Sequence, residues 1–185
     1  SFVGTWSKPR ERIIKKIRKA GINIAAYGGG WPTGRISEQK IIEIFSNSKI
    51  NLALNPAPGY FNKNSLGRLF FKRSMNKIVP DFRLLNNFKC WINRGIPQIK
   101  ARHFEIPACG GFVITGLADD IENYFEPNKE MVFYKNLDDL IDKIKYYLEH
   151  NEERRKIAEA GYQRTIKEYS YKKRFSEIFQ KIRGV

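Results

Sequence analysis

The residues best suited to chemistry lie between Lys100 and Thr115, in the run Lys-Ala-Arg-His-Phe-Glu-Ile-Pro-Ala-Cys-Gly-Gly-Phe-Val-Ile-Thr. Lys100 and Arg102 open it as a pair of cations, and Glu105 follows as a lone carboxylate. The small residues Ala108, Cys109, Gly110 and Gly111 then lead into the β-prone Phe112-Val113-Ile114-Thr115. Physically, this reads as a short helix passing through glycines into a buried parallel strand. At such a junction cations take phosphate oxygens, and an ionised carboxylate, being an acceptor only, takes hydroxyl protons. A sugar phosphate presents both groups. An ordinary helix-to-strand connection with solvated charges is the alternative, and these residues alone leave both readings open.

The elements around this run alternate between strand and helix. Phe2 to Trp6 is predicted as a strand, Ser7 as a cap with Pro9 in the first helical turn, and Arg10 to Ala20 as an amphipathic helix stopped by Gly21. A strand, Gly4 and a helix in succession place backbone N–H groups and a positive helix end where an anion can sit, with Arg10 beside it. Ile22 to Tyr27 is the next strand, and the loop Gly28-Gly29-Gly30-Trp31 leaves its carboxyl end, the edge at which open α/β sheets bind ligands. Trp31 suits either a wall for a flat base or a packing role that closes the loop. Ser37 caps a helix, Lys49 to Leu54 forms a third strand, and Phe112 to Thr115 a fourth. Asp119 or Asp120 caps a short helix reaching Phe125, and Glu130 to Tyr134 forms a fifth strand. Leu137 to Leu148 has helical apolar spacing, and two further helices occupy about 151–183. This alternation predicts an α/β domain with a parallel sheet and flanking helices.

From Tyr60 to Pro97 the rhythm breaks. Phenylalanines and Trp91 interleave with eight lysines and arginines, and Asp81 is the only acid. The segment reads as an insertion of about 60–97, with two short helices around Pro80. Basic and aromatic residues in this mixture suit single-stranded nucleic acid, an anionic membrane surface, a lid over an anionic ligand, or simply the inner face of a helical hairpin. No nucleic-acid-binding motif accompanies it, which makes nucleic acid a poor expectation.

The chain has 185 residues, enough for one domain with a real core and too few for two full Rossmann domains. A hydrophobic content of 42% with 14% aromatics argues against disorder. The formal net charge of +15 fits nucleic acid, an anionic membrane face, a polyanionic substrate, or a lysine-rich surface bias. Cys90 and Cys109 form no CxxC pair, and Cys109 reads as a buried thiol, in keeping with a reducing cytoplasm. No apolar run approaches the ~20 residues that span a bilayer. The opening residues already read as a strand, so a fragment whose missing part lies upstream is expected.

The run Phe104-Glu105-Ile106-Pro107-Ala108-Cys109-Gly110-Gly111-Phe112-Val113-Ile114-Thr115 resembles the F-E-x-x-A-C-G-x-x-x-I-T signature of group 1 glycosyltransferases. It is most similar to their spore-maturation-protein-like branch. Ile44-Phe45-Ser46-Asn47-Ser48-Lys49-Ile50 and the tail around Glu152 to Gly161 resemble the same family. The resemblance implies the GT-B fold, with this chain as the C-terminal, Rossmann-like half that holds a nucleotide-sugar. It implies that Glu105 bonds the donor ribose and that the glycine loop ending at Trp31 lies near the base. Where the wider pattern has a second glutamate eight positions earlier, this chain has Pro97. In GT-B proteins the last helix often crosses back to the first domain.

The expected function is therefore donor binding for sugar transfer to an unknown acceptor. Lys100, Arg102 and Arg10, with Gly4, are the candidates for the diphosphate. His103, Ala108, Cys109, Gly110 and Gly111 are further site candidates. No metal or cofactor is expected, because cations and helix ends can meet the leaving group's charge and no spaced carboxylate pair stands in a suitable loop. No catalytic base is expected within this chain, which alone should be inactive; an acceptor-binding domain would supply it. A non-catalytic nucleotide- or RNA-binding module using the basic insertion is the alternative function. The expected location is the cytoplasm, with peripheral attachment at the membrane face as an option.

Overall fold

A computed structural model describes residues 1–54, 67, 69–74, 77–93 and 97–183. The chain divides into two compact units, residues 1–54 with 99–185, and residues 55–98.

The larger unit is built on five parallel strands: β1 (Phe2–Val3), β2 (Ala26–Tyr27), β3 (Asn51–Ala53), β6 (Val113–Gly116) and β7 (Val132–Tyr134). Their order across the sheet is β2-β1-β3-β6-β7. The chain therefore starts inside the sheet, steps to one edge, and returns past its own first strand, so that the winding reverses between β1 and β3. Side chains alternate faces along each strand as the period of two requires. Phe2, Leu52, Ile114 and Val132 face one helical layer; Val3, Ala53, Val113 and Phe133 face the other.

The first layer is supplied by α1 (Lys8–Lys19), through Ile14 and Ile17, and by α5 (Leu137–Glu149), through Leu140, Ile144 and Tyr147. The second holds α2 (Glu38–Asn47), through Ile44 and Phe45, and α4 (Arg102–Ala108), through Ile106. Two apolar layers on one parallel sheet are the Rossmann-like arrangement expected from the alternation. Helix α6 (Asn151–Tyr169) packs on α4, and Gly161 makes this close approach possible: a Cβ there would stand 2.4 Å from the Glu130 carbonyl. Helix α7 (Tyr171–Arg183) buries none of its residues.

Several local expectations change. The first three strands are shorter than predicted, and residues 22–25 lie outside β2. Ser37 caps α2, accepting from the Lys40 N–H at 3.2 Å, whereas Ser7 at the head of α1 makes no side-chain cap bond. Asp120 precedes a 3-10 turn, Ile121–Asn123, in a left-handed conformation (φ 62°) and caps none of its N–H groups.

Two helices are predicted around Pro80; among the described residues of the smaller unit, an antiparallel hairpin leads up to Pro80 and a helix follows it. Strands β4 (Phe71–Ser74) and β5 (Lys77–Pro80) pair from Phe71 with Pro80 to Ser74 with Lys77, and α3 (Leu84–Asn93) follows. The reason for the hairpin is the β-branched Ile78-Val79 run, with Pro80 as the last strand residue, where a missing N–H is tolerated. Residues 60–66, which include part of the predicted insertion, lie outside the described residues. No helix among those described is long and apolar enough to cross a membrane.

Candidate functional site

The carboxyl ends of β1 and β3 flank the point where the winding reverses, and in open α/β sheets this crevice takes the ligand. Arg10, in the first turn of α1, lies across it. Its Nη1 donates to the carbonyl of Thr5, just past β1, at 2.7 Å. Its Nη2 donates to the carbonyl of Leu54, just past β3, at 3.3 Å. The guanidinium also stands over the Phe2 ring, 5.5 Å from its centroid. Burial lowers the Arg10 pKa, and its Nε is buried with no hydrogen-bond partner among the described residues.

Lys100 stands close enough to Arg10 to feel it. Its pKa is lowered first by burial and then by the positive charge of Arg10. Among the described residues no carboxylate pairs with either cation. Two neighbouring cations, neither paired with a carboxylate among the described residues, form a site of positive potential suited to an anion. The uncapped first turn of α1 adds N–H groups and the positive end of the helix dipole.

His103 fixes this corner. A further site candidate in the sequence, it is fully buried. Thr115 Oγ1 on β6 donates its proton to the carbonyl of Ala53 on β3, at 2.9 Å. The hydroxyl oxygen lies 2.9 Å from His103 Nε2. His103 Nδ1 lies 2.9 Å from the Lys100 carbonyl oxygen and 3.0 Å from the Lys100 backbone nitrogen. Burial lowers the His103 pKa, in keeping with a neutral ring. The imidazole thus ties the backbone of Lys100 to two central strands. Nothing in residue type or spacing pointed to Thr115, because the contact links a helix to the strand beyond it.

Arg102 and Glu105 take a different place. They form an ion pair one helical turn apart, with Arg102 laid over the Phe45 ring of α2, 5.2 Å from its centroid. Glu105 is about half exposed, so a ligand could reach its carboxylate without unfolding the helix. Arg102 is thus committed to Glu105 and Phe45, and the cation facing Arg10 is Lys100.

Gly4 does not serve as an anion-binding turn. Its N–H donates to the Tyr27 carbonyl at 2.8 Å and its carbonyl accepts from the Trp31 indole N–H at 2.9 Å, so its polar groups are engaged. What the position requires is closeness, since a Cβ on Gly28 (φ +123°) would lie 2.6 Å from the Gly4 carbonyl. Trp31 is buried, edge-on to Phe2, and closes the loop over β1. Its geometry is that of the packing reading. Gly29 and Gly30 belong to the same turn: the Gly29 carbonyl accepts from the Trp6 N–H, and a Cβ on Gly30 would stand 2.7 Å from Trp6.

Ala108, Cys109, Gly110 and Gly111 are not brought to this edge. They end α4 and turn into the amino end of β6, across the sheet from Arg10. The Gly111 N–H bonds the Ile106 carbonyl, the Gly110 N–H bonds that of Pro107, and Gly110 has φ +72°. That is a Schellman stop, which needs glycine at the left-handed position. Gly111 must also be bare, because a Cβ would stand 2.6 Å from the Phe45 carbonyl. Burial raises the Cys109 thiol pKa, which argues against a thiolate at neutral pH. Among the described residues no group of three acidic, histidine or cysteine side chains is placed to hold a metal ion.

Residues 10–180 match a family model described as glycosyl transferase-like. Spore protein CgeB of Bacillus subtilis (strain 168) is 30% identical over 84 residues, which are 45% of this chain and 24% of that protein. The sucrose-phosphate synthase of Thermosynechococcus elongatus is similar in structure, with a TM-score of 0.58 at 11% sequence identity. That match covers 99% of this chain and 38% of the synthase, so the chain spans well under half the length of either protein.

Proposed function

The chain belongs to the glycosyl transferase-like family, and we propose that its larger unit is the part that holds the nucleotide-sugar donor. Its fold is the Rossmann-like half of a GT-B glycosyltransferase. The observation that carries the proposal is the pair Arg10 and Lys100 at the winding reversal, where, among the described residues, no carboxylate pairs with either cation and the Arg10 Nε has no acceptor.

In this reading the donor's diphosphate lies across Arg10 and Lys100, at the head of α1. Sugar transfer breaks the bond between the anomeric carbon and the diphosphate oxygen, and negative charge grows on that oxygen as it leaves. Fixed cations and helix N–H groups stabilise the growing charge because they are oriented beforehand. No metal is needed for that step. Arg10 is held by two carbonyls and the Lys100 backbone by His103, so the guanidinium and the root of the lysine side chain are positioned before the donor arrives. Glu105 takes the ribose hydroxyls, exchanging part of its pairing with Arg102 for the diol, and the Gly28–Trp31 turn borders the base. The acceptor and any base that activates it belong to a second domain facing this one. The larger unit by itself holds the donor and does not transfer sugar.

The test is calorimetric titration of the 185-residue chain with a panel of nucleoside diphosphates and nucleotide-sugars, with and without a chelator. Saturable binding of one diphosphate, unchanged by chelation, supports the proposal. Absence of nucleotide binding, together with steeply salt-dependent RNA binding, would transfer the chain to the class of RNA-binding modules. Turnover of a nucleotide-sugar by this chain alone would overturn the division of labour.

A further inference from the structure

The smaller unit exposes apolar side chains in a way that a solvated hairpin and helix do not require. Leu85 is 89% exposed, Phe82 86% and Ile78 76%, while Phe70, Phe71 and Leu84 are about half exposed. Leu84 and Leu85 lie in the first turn of α3, separated from Phe82 by Arg83, and Ile78 and Phe71 belong to the hairpin. Across the hairpin, Phe71 pairs with Pro80 and Lys72 with Val79, so Lys72 and Lys77 lie on the face opposite to Phe71 and Ile78. Residues 55–98 carry eight lysines and arginines and one acid, Asp81. That acid is already taken: Arg83 donates to it through Nε at 3.1 Å and Nη2 at 3.0 Å and holds its pKa near 2. One acid against eight lysines and arginines leaves the unit with a large excess of positive charge.

We propose that this unit is a membrane-docking device that inserts Phe82, Leu85 and Ile78 among the acyl chains of an anionic lipid surface, while its lysines and arginines sit at the headgroups. Large apolar side chains beside an excess of cations, with low net hydrophobicity, are the composition of interfacial anchors. The cations supply charge complementarity to an anionic leaflet. Single-stranded nucleic acid is the competing anion, and the chemistry of the exposed tips decides against it. Base stacking needs aromatic faces, and two of the three most exposed side chains, Leu85 and Ile78, have none. An acyl boundary accepts aliphatic and aromatic tips alike. The device is independent of the nucleotide reading, because none of its residues belongs to the donor site.

The experiment is flotation of the 185-residue chain with vesicles of phosphatidylcholine alone and of phosphatidylcholine mixed with phosphatidylglycerol. Binding is expected to the mixed vesicles only, and to weaken as salt is raised. The double substitution Phe82→Ser and Leu85→Ser is expected to lower the partition coefficient about tenfold or more without changing the thermal melt, since both side chains are solvent-exposed. Lys72→Gln with Lys77→Gln, which removes charge and no apolar surface, should lower it by a similar factor. Equal binding to neutral vesicles, or flotation unaffected by the Phe82 and Leu85 substitutions, would overturn the proposal. So would single-stranded RNA that competes the protein off the vesicles and whose binding depends on the same phenylalanine and leucine. Self-association in the absence of lipid, abolished by the double substitution, would assign the surface to a second copy instead.

Discussion

Replacing Lys100 by methionine should weaken nucleotide binding and leave the unliganded protein as stable as before, or more so. Methionine keeps most of the apolar stem and removes the ammonium. In the bound state the loss is a charge-assisted bond to a phosphate oxygen, about 1.5–3 kcal/mol. That corresponds to a roughly 10- to 150-fold rise in Kd for a nucleoside diphosphate. In the free state the ammonium is a liability: burial and Arg10 both lower its pKa. The sign follows from that direction. A lysine whose folded pKa lies below its unfolded value binds its proton more weakly in the folded state, so the charge costs stability at every pH below the folded pKa. Relief of a partly screened like-charge pair is of the order of an exposed ion pair, about 0.2–1 kcal/mol. For a chain of this size, that raises the melting temperature by a few degrees, up to ~2–4 °C. The assay is calorimetry with a nucleoside diphosphate and the matching nucleoside, alongside a thermal melt. The expected result is a large loss for the diphosphate, little for the nucleoside, and a melt that does not fall. Equal losses for both ligands, or a lowered melt, would show that Lys100 supports the fold and not the phosphate.

Glu105→Gln should lower ribonucleotide affinity by about 1.5–3 kcal/mol and 2′-deoxynucleotide affinity by less, a difference that calorimetry on the four combinations of ligand and protein resolves; strict additivity would leave the carboxylate with Arg102 alone. His103→Leu removes the ring's contacts to Thr115 Oγ1 and to the Lys100 backbone, so denaturation should show a loss of about 2–4 kcal/mol. Because burial lowers the His103 pKa, the unfolded chain takes up its proton first; wild-type stability should fall as pH drops below about 6.5, and the substitution should flatten that part of the profile. Gly161→Ala should cost about 1–3 kcal/mol in the same assay, since its Cβ would stand 2.4 Å from the Glu130 carbonyl.

The parallel sheet and its two helical layers were legible because they follow from periodicity: Ile14 and Ile17 at helical spacing, and Phe112 to Thr115 as a continuous buried run. The family signature was legible too, although half of it turned out to describe a helix stop. Ala108 to Gly111 recur in that pattern for the sake of a Schellman turn and a close approach to Phe45, reasons that sequence alone does not separate from ligand contact. Arg10 was a candidate on position in the chain, but its span between the Thr5 and Leu54 carbonyls depends on β1 and β3 being neighbours, which strand order alone decides. His103 was misleading for the opposite reason. A histidine beside charged neighbours stood among the ligand candidates, and only the packing of α4 on β6 supplies Thr115 as its partner. The hairpin before Pro80 was not foreseen because Ile78 and Val79 outweighed the helix-compatible residues around them, while a helix does follow Pro80.

The central claim is a location: a nucleotide diphosphate at the carboxyl ends of β1 and β3, between Arg10 and Lys100. The most direct measurement is a crystal structure of the chain soaked with the tightest-binding nucleoside diphosphate. The account predicts phosphate oxygens within hydrogen-bond distance of Lys100 Nζ and of the Arg10 guanidinium, and a ribose diol facing Glu105. A diphosphate bound by Arg102 at the α2–α4 seam, or by the lysines of residues 55–98 with Arg10 and Lys100 left bare, would contradict it.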